Sequence, residues 1–136
     1  MVAAPNERKG PLGLVVTGEA RGWQDALDKI VGPSYVRTYR VRGRNELLSM
    51  VQHRVADAAV LDDSGELGLD IIQMLRMIRR VDPMLPVVIV TGQPNRRLLE
   101  DALRLAAFSV VSRPLELEEL LRQVWRMMTR LDEMLR

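Results

Sequence analysis

Ala56-Asp57-Ala58-Ala59-Val60-Leu61-Asp62-Asp63 is the stretch on which the reading of this chain turns. Its apolar run, Ala58 to Leu61, closes in two carboxylates and then in a glycine-bearing loop, Ser64-Gly65-Glu66-Leu67-Gly68. A short apolar run bounded in this way suits a strand buried on both faces, as in a parallel sheet. Asp62 then falls at the carboxyl end of that strand, where open α/β sheets place their ligand crevices. An aspartate can equally end a strand as a plain loop residue, so the neighbouring segments have to decide.

Working outward, Leu69 to Val81 has Ile71, Ile72, Leu75 and Ile78 on one helical face, and Asp82-Pro83 ends it. Val87-Val88-Ile89-Val90 is an uninterrupted β-branched run closed by Thr91-Gly92, the clearest buried strand in the chain. Leu98, Leu99, Ala102, Leu103 and Ala106 stripe a further helix. Phe108 to Ser112 reads as a strand, Arg113-Pro114 as a turn, and Glu116 onward as helix. Upstream, Leu12 to Thr17 and Tyr35 to Val41 read as strands. Helices marked by Trp23, Ala26, Leu27 and Ile30, and by Leu47, Leu48, Val51 and Val55, follow them. Five strands alternating with five helices imply βαβ units and one parallel sheet sandwiched by helices.

The bulk properties agree. With 136 residues the chain is one domain, long enough to bury roughly two-thirds of its unfolded surface. We expect a flexible tail over residues 1–11, the domain proper over 12–128, and an extension of the last helix over 129–136. Cysteine is absent, which excludes disulfides and thiolate metal sites and fits the cytoplasm. The first ten residues lack the apolar core of a signal peptide, and no apolar run is long enough to span a membrane. The net charge of +2 is small. Its densest basic cluster, Arg37, Arg40, Arg42 and Arg44, reads as a solvated edge, so no direct contact with nucleic acid is expected.

Several stretches resemble the receiver domain of two-component response regulators. Asp57-Ala-Ala-Val-Leu-Asp62 looks like that family's third strand, which ends in the phosphoacceptor aspartate. Val87-Val-Ile-Val-Thr-Gly92 looks like its fourth strand with the switch threonine, here Thr91. Asp101 to Leu115 is similar to its fourth helix, fifth strand and lysine-proline turn. The resemblance covers about Leu12 to Met128. It implies a flavodoxin-like, doubly wound α/β fold of the chemotaxis-receiver type, strand order 2-1-3-4-5. It also implies phosphorelay signalling with a sensor histidine kinase or other signalling protein as partner, output through protein contacts, and no enzyme activity. Asp62, Thr91 and Arg113 would be the working residues. Mg²⁺ would be held by Asp62, Glu19 and the backbone of Ser64.

The chain departs from the family's pattern at that metal site. The acidic pair after the first strand is replaced by Thr17 and Gly18, leaving Glu19 one residue on, and the lysine before the proline is Arg113. Phosphoryl transfer needs charge neutralisation, usually by a metal with oxygen ligands. With the pair gone, Mg²⁺ is expected to bind weakly or not at all. Arg113 could instead grip Asp62 bidentately. The alternative to a phosphorelay switch is therefore a phosphorylation-independent pseudo-receiver, kept as a binding or dimerisation module. By strand alternation Asp63 should point away from Asp62 and serve the loop. Thr17-Gly18-Glu19 has no phosphate-cradling pattern, and His53 stands alone without a catalytic or metal-binding partner.

The last helix is unusual. Leu117, Leu121, Val124, Met128, Leu131 and Leu135 recur at spacings of four and three, with Leu120, Met127 and Met134 widening the stripe. A helix from Glu116 to Arg136 would span roughly 31 Å, against about 17–20 Å for a typical strand. Its end should overhang the sheet and either pair with another helix, most simply in a homodimer, or make an effector contact.

Overall fold

Five short strands make the sheet: β1 (Leu12–Val16), β2 (Val36–Arg40), β3 (Ala58–Asp62), β4 (Val87–Thr91) and β5 (Ser109–Ser112). The helices between and after them are α1 (Arg21–Ile30), α2 (Arg44–Gln52), α3 (Ile71–Val81), α4 (Arg96–Arg104) and α5 (Leu117–Met134). The computed structural model describes residues 10–18, 21–64, 70–113 and 116–134. Most of the expected N-terminal tail, Glu19, the loop Gly65–Gly68, Pro114 and Leu135 therefore lie outside the described residues.

All strands pair in parallel in the order β2-β1-β3-β4-β5. This is the order that the resemblance implied. β1, β3 and β4 are buried along their whole length, which is why their sequences run apolar without alternation. Successive side chains still go to opposite faces. Leu14, Val16, Ala58, Val60, Val88 and Val90 join Trp23 and Leu27 of α1 and Leu120, Val124, Met127 and Met128 of α5. Val15, Ala59, Leu61, Val87 and Ile89 join Leu47 and Val51 of α2 and Ile72, Leu75 and Ile78 of α3. The sheet thus carries a core on each side, and both end at the carboxyl edge of β3 and β4.

Helix starts follow local chemistry. Asp70 caps α3 by accepting from the amides of Ile72 (3.0 Å) and Gln73 (3.2 Å). Asn95 caps α4 through the amide of Leu98 (2.9 Å). Arg79, near the end of α3, donates to the carbonyls of Leu105 (2.7 Å), Leu85 (2.7 Å) and Ala106 (3.2 Å), which ties α3 to the turn after α4.

Four helical stripes differ from expectation. Ile30 is exposed at the end of α1. Val55 lies beyond α2, because Arg54 turns the chain with a positive φ of 58°. On α4 only Ala102 is buried and Leu98 half-buried, while Leu99 and Leu103 face solvent. A nine-residue helix laid over one sheet edge covers a narrower stripe than its apolar content offers. The stripe of α5 is also rotated: Leu120 and Met127 belong to the inward line, whereas Leu117 and Met134 are exposed. No described helix is long and apolar enough to cross a membrane.

Candidate functional site

The carboxyl ends of β3, β4 and β5 bring together Asp62, Asp63, Thr91 and Arg113. Register does the first part of the work: Asp62 lies beside Val90, and Thr91 beside Ser112. The amide of Asp63 donates to the carbonyl of Val90 (3.1 Å), and that of Arg113 to the carbonyl of Thr91 (2.8 Å), which extends the pairing past the strands. Asp62 is almost wholly buried, its side chain 4% exposed, while Asp63 keeps 22% and Arg113 29%.

The guanidinium of Arg113 spans the two acids. Its Nη1 donates to Oδ1 of Asp62 at 2.5 Å, and its Nη2 donates to Oδ1 of Asp63. The grip is thus one nitrogen on each carboxylate, not the expected fork on Asp62 alone. A guanidinium fixes its donors in a plane, so one side chain can hold two acceptors where a lysine ammonium presents a point charge. Gly92 leaves room for it: a Cβ there would lie 2.8 Å from Nη2 of Arg113.

Asp63 is the residue that sequence reasoning missed. Alternation does turn it toward the side of Thr91, whose hydroxyl donates to its Oδ2 at 2.6 Å. Beyond the last strand residue, however, no sheet separates the two faces, so its other oxygen meets the same guanidinium as Asp62. The Gly92 amide adds a bond to Oδ1 (3.2 Å). Burial alone would raise the pKa of this carboxyl, but the hydrogen bonds from Thr91, Arg113 and Gly92 outweigh it and hold the pKa below its ordinary 3.8. A pKa lowered in the folded state contributes stability above the unfolded value, which is lost as pH falls through the folded one. Asp63→Asn should therefore flatten the acid side of the stability curve below about pH 4, read by urea midpoints between pH 2 and pH 7. An unchanged acid limb would detach Asp63 from the cluster.

Thr91 was expected to keep its hydroxyl for an incoming oxygen. Here that hydroxyl is engaged twice, donating to Asp63 and accepting from the amide of Gln93 (3.0 Å). Ser64 contributes through its backbone, its amide donating to Oδ1 of Asp62 (2.8 Å).

Thr17 and Gly18, where the resemblance implied an acidic pair, have structural work. Thr17 is buried, and its hydroxyl accepts from the amide of Asp62 (2.8 Å) and donates to its carbonyl (3.2 Å). It pins the last residue of β3 to the end of β1. Gly18 has a positive φ of 77°, and a Cβ there would stand 2.8 Å from Cβ of Asp62 and 3.0 Å from Oγ of Ser64. The first loop thus lies directly against Asp62, and only glycine fits so close with this backbone.

The described donor set does not fit Mg²⁺. That ion wants a near-octahedral shell of free oxygens. Among the described residues no group of three or more His, Cys, Asp or Glu side chains comes together. Asp62 and Asp63 share a guanidinium, and the hydroxyl of Thr17 is spent on backbone. Glu19, the remaining acid expected to help, lies outside the described residues.

No family model matches the chain, and neither does any curated protein. Solved structures do. The chain is similar over 97% of its length to the signal receiver domain of an HD domain-containing protein from Pseudomonas fluorescens Pf-5, covering 95% of that chain with TM-score 0.72 at 19% identity. A response regulator receiver domain protein from Methanospirillum hungatei JF-1 matches with TM-score 0.72 at 13% identity, covering 90% of this chain and 97% of that one. A protein described as pilus assembly-related, from Burkholderia pseudomallei K96243, matches with TM-score 0.64 at 22% identity, over 87% and 90% of the two chains. The chain has the receiver-domain fold. At these identities it is the fold that is shared.

Proposed function

We propose that the chain is a non-enzymatic signalling module of the receiver fold that acts in the cytoplasm through protein contacts, without phosphorylation of Asp62. The observation that carries this reading is the Arg113 guanidinium laid across Asp62 and Asp63. An acceptor carboxylate needs an open approach and a cation that can also hold the incoming phosphoryl oxygens. In this chain the cation is built in and already satisfied by two carboxylates. Mg²⁺ is accordingly weak or absent at this site. Incubation with acetyl phosphate and Mg²⁺ should leave the intact mass unchanged; stoichiometric gain of one phosphoryl group on Asp62 would overturn the reading.

A phosphorelay receiver is the second reading, favoured by one observation: Asp62 and Thr91 stand at the ends of adjacent strands, as a phosphoacceptor and its switch residue require. A sensor histidine kinase would then supply the phosphoryl group, with Arg113 in the lysine's role. The same mass measurement separates the two.

Under either reading, self-association through α5 is proposed. Trp125 and Met134 project from it, 47% and 64% exposed. Light scattering should give a dimer for the full chain and a monomer for Trp125→Ser/Met134→Ser, which keeps the core residues Met127 and Met128. Equal monomer masses would exclude a dimer built on this helix.

A further inference from the structure

We propose that a second copy of this chain lies along α5 antiparallel to the first, about a two-fold axis passing between Thr129 and Arg130. This gives the self-association proposed above its geometry and rests on that reading. A shallow groove on the outer side of α5 is lined by Trp125, Arg126, Thr129, Arg130, Glu133 and Met134, with Phe108, just before β5, beside them. None of these residues belongs to α4.

The six helical residues form three adjacent pairs spaced by four, so they stay on one side of α5. Turned end over end, the set meets itself. Trp125 faces the partner's Met134, Arg126 faces the partner's Glu133, and Thr129 faces the partner's Arg130. An isologous contact demands this property, since residue i touches j while j touches i. Two ion pairs and two apolar contacts then form about one axis, with the small Thr129 beside it, where two helices must approach to about 8–10 Å. A parallel arrangement would instead set Arg126 on Arg126, Arg130 on Arg130 and Glu133 on Glu133.

The charges concerned are unmatched within the chain. Arg122 has its partner in the same helix, Glu119 at 2.8 Å. Arg126, Arg130 and Glu133 make no hydrogen bond or ion pair among the described residues. Their placement also costs the lone helix. Arg126 and Arg130 are like charges one turn apart. Glu133 stands in the last turn of α5, which holds no basic residue and where the helix dipole disfavours an acid. An antiparallel copy brings each Arg126 to a Glu133 and relieves both. The apolar ends of the set are equally open, and the Trp125 ring is braced against Tyr35 with centroids 6.0 Å apart, which holds it ready as an anchor. From Trp125 to Met134 the helix spans roughly 15 Å. That contact is short, so the dimer is a weak, concentration-dependent one.

Sedimentation equilibrium of the full chain over a range of concentrations provides the test. Glu133→Arg and Arg126→Glu should each weaken the dimer by about tenfold or more, because each sets like charges opposite one another twice. Arg126→Glu/Glu133→Arg should restore it, since the exchanged charges again meet their opposites. Glu118→Arg, an equal change of charge on an exposed residue outside the groove, should dimerise as the unaltered chain does. Undiminished dimerisation of Glu133→Arg, no recovery in the double variant, or an equal loss in Glu118→Arg would overturn the antiparallel pairing. A dimer that is lost in Trp125→Ser/Met134→Ser yet indifferent to the charge exchanges keeps α5 as the contact and loses the register proposed here. A chain that stays monomeric at every concentration loses both.

Discussion

Arg113→Ala should cost the chain about 3 kcal/mol of stability, among the larger effects available from one side chain. The loss comes less from a missing contact than from what remains. Asp62, almost wholly buried, and Asp63 beside it are left as neighbouring carboxylates with no counter-charge. The pair can relieve that repulsion only by taking up a proton or letting water in. The penalty should therefore be smaller in acid, where Asp63, whose pKa the guanidinium helps to lower in the folded chain, takes up its proton. The partial exposure of Arg113 keeps the figure toward the lower end of the range for buried pairs. Arg113→Lys should recover only part of the loss, because an ammonium cannot bridge both acids in one plane. Urea midpoints at two pH values, with the m-value unchanged, measure all of this.

Gly18→Asp, which would place an acid where the resemblance implies one, should be almost as damaging, at about 2–4 kcal/mol. The backbone there has φ of +77°, and the new Cβ would press on Cβ and Cγ of Asp62, atoms fixed by the strand end. A third carboxylate would also join a cluster that holds one cation. The expected outcome is a lowered melting temperature and no gain of Mg²⁺-dependent phosphorylation. A variant that keeps its stability and takes up phosphate would mean that the loop is free to move and that the site lacks only one ligand. Thr17 and Gly18 hold the first loop against the end of β3.

The sheet was legible because each central strand spells its own burial. Val87-Val88-Ile89-Val90 and Ala58-Ala59-Val60-Leu61 admit few other readings, and alternation with helices fixes parallel pairing. Helix faces were less legible, since apolar residues on α4 exceed what a sheet edge can cover; Leu103 counts toward a periodic stripe and yet lies in solvent. The acid site was half-legible. Asp62, Thr91 and Arg113 follow as a set from the family resemblance, and the structure brings all three to one edge. Asp63 did not follow, because period-two alternation governs side chains within a sheet and ends where the sheet ends. The strut role of Thr17 depends on a hydrogen bond to a residue 45 positions away, for which a Thr-Gly pair after β1 is the only local trace. Gly92, read as the closure of β4, gives equally little local sign that its missing Cβ makes space for a guanidinium.

The central claim is that Arg113 is the resident cation of the acid cluster. A double-mutant cycle on Asp62→Asn and Arg113→Ala, measured by urea unfolding at pH 7, tests it most directly. The account predicts a coupling of about 1–3 kcal/mol, with the amide variant less harmful, or even helpful, once the arginine is gone. Additive losses, with a coupling near zero, would contradict it.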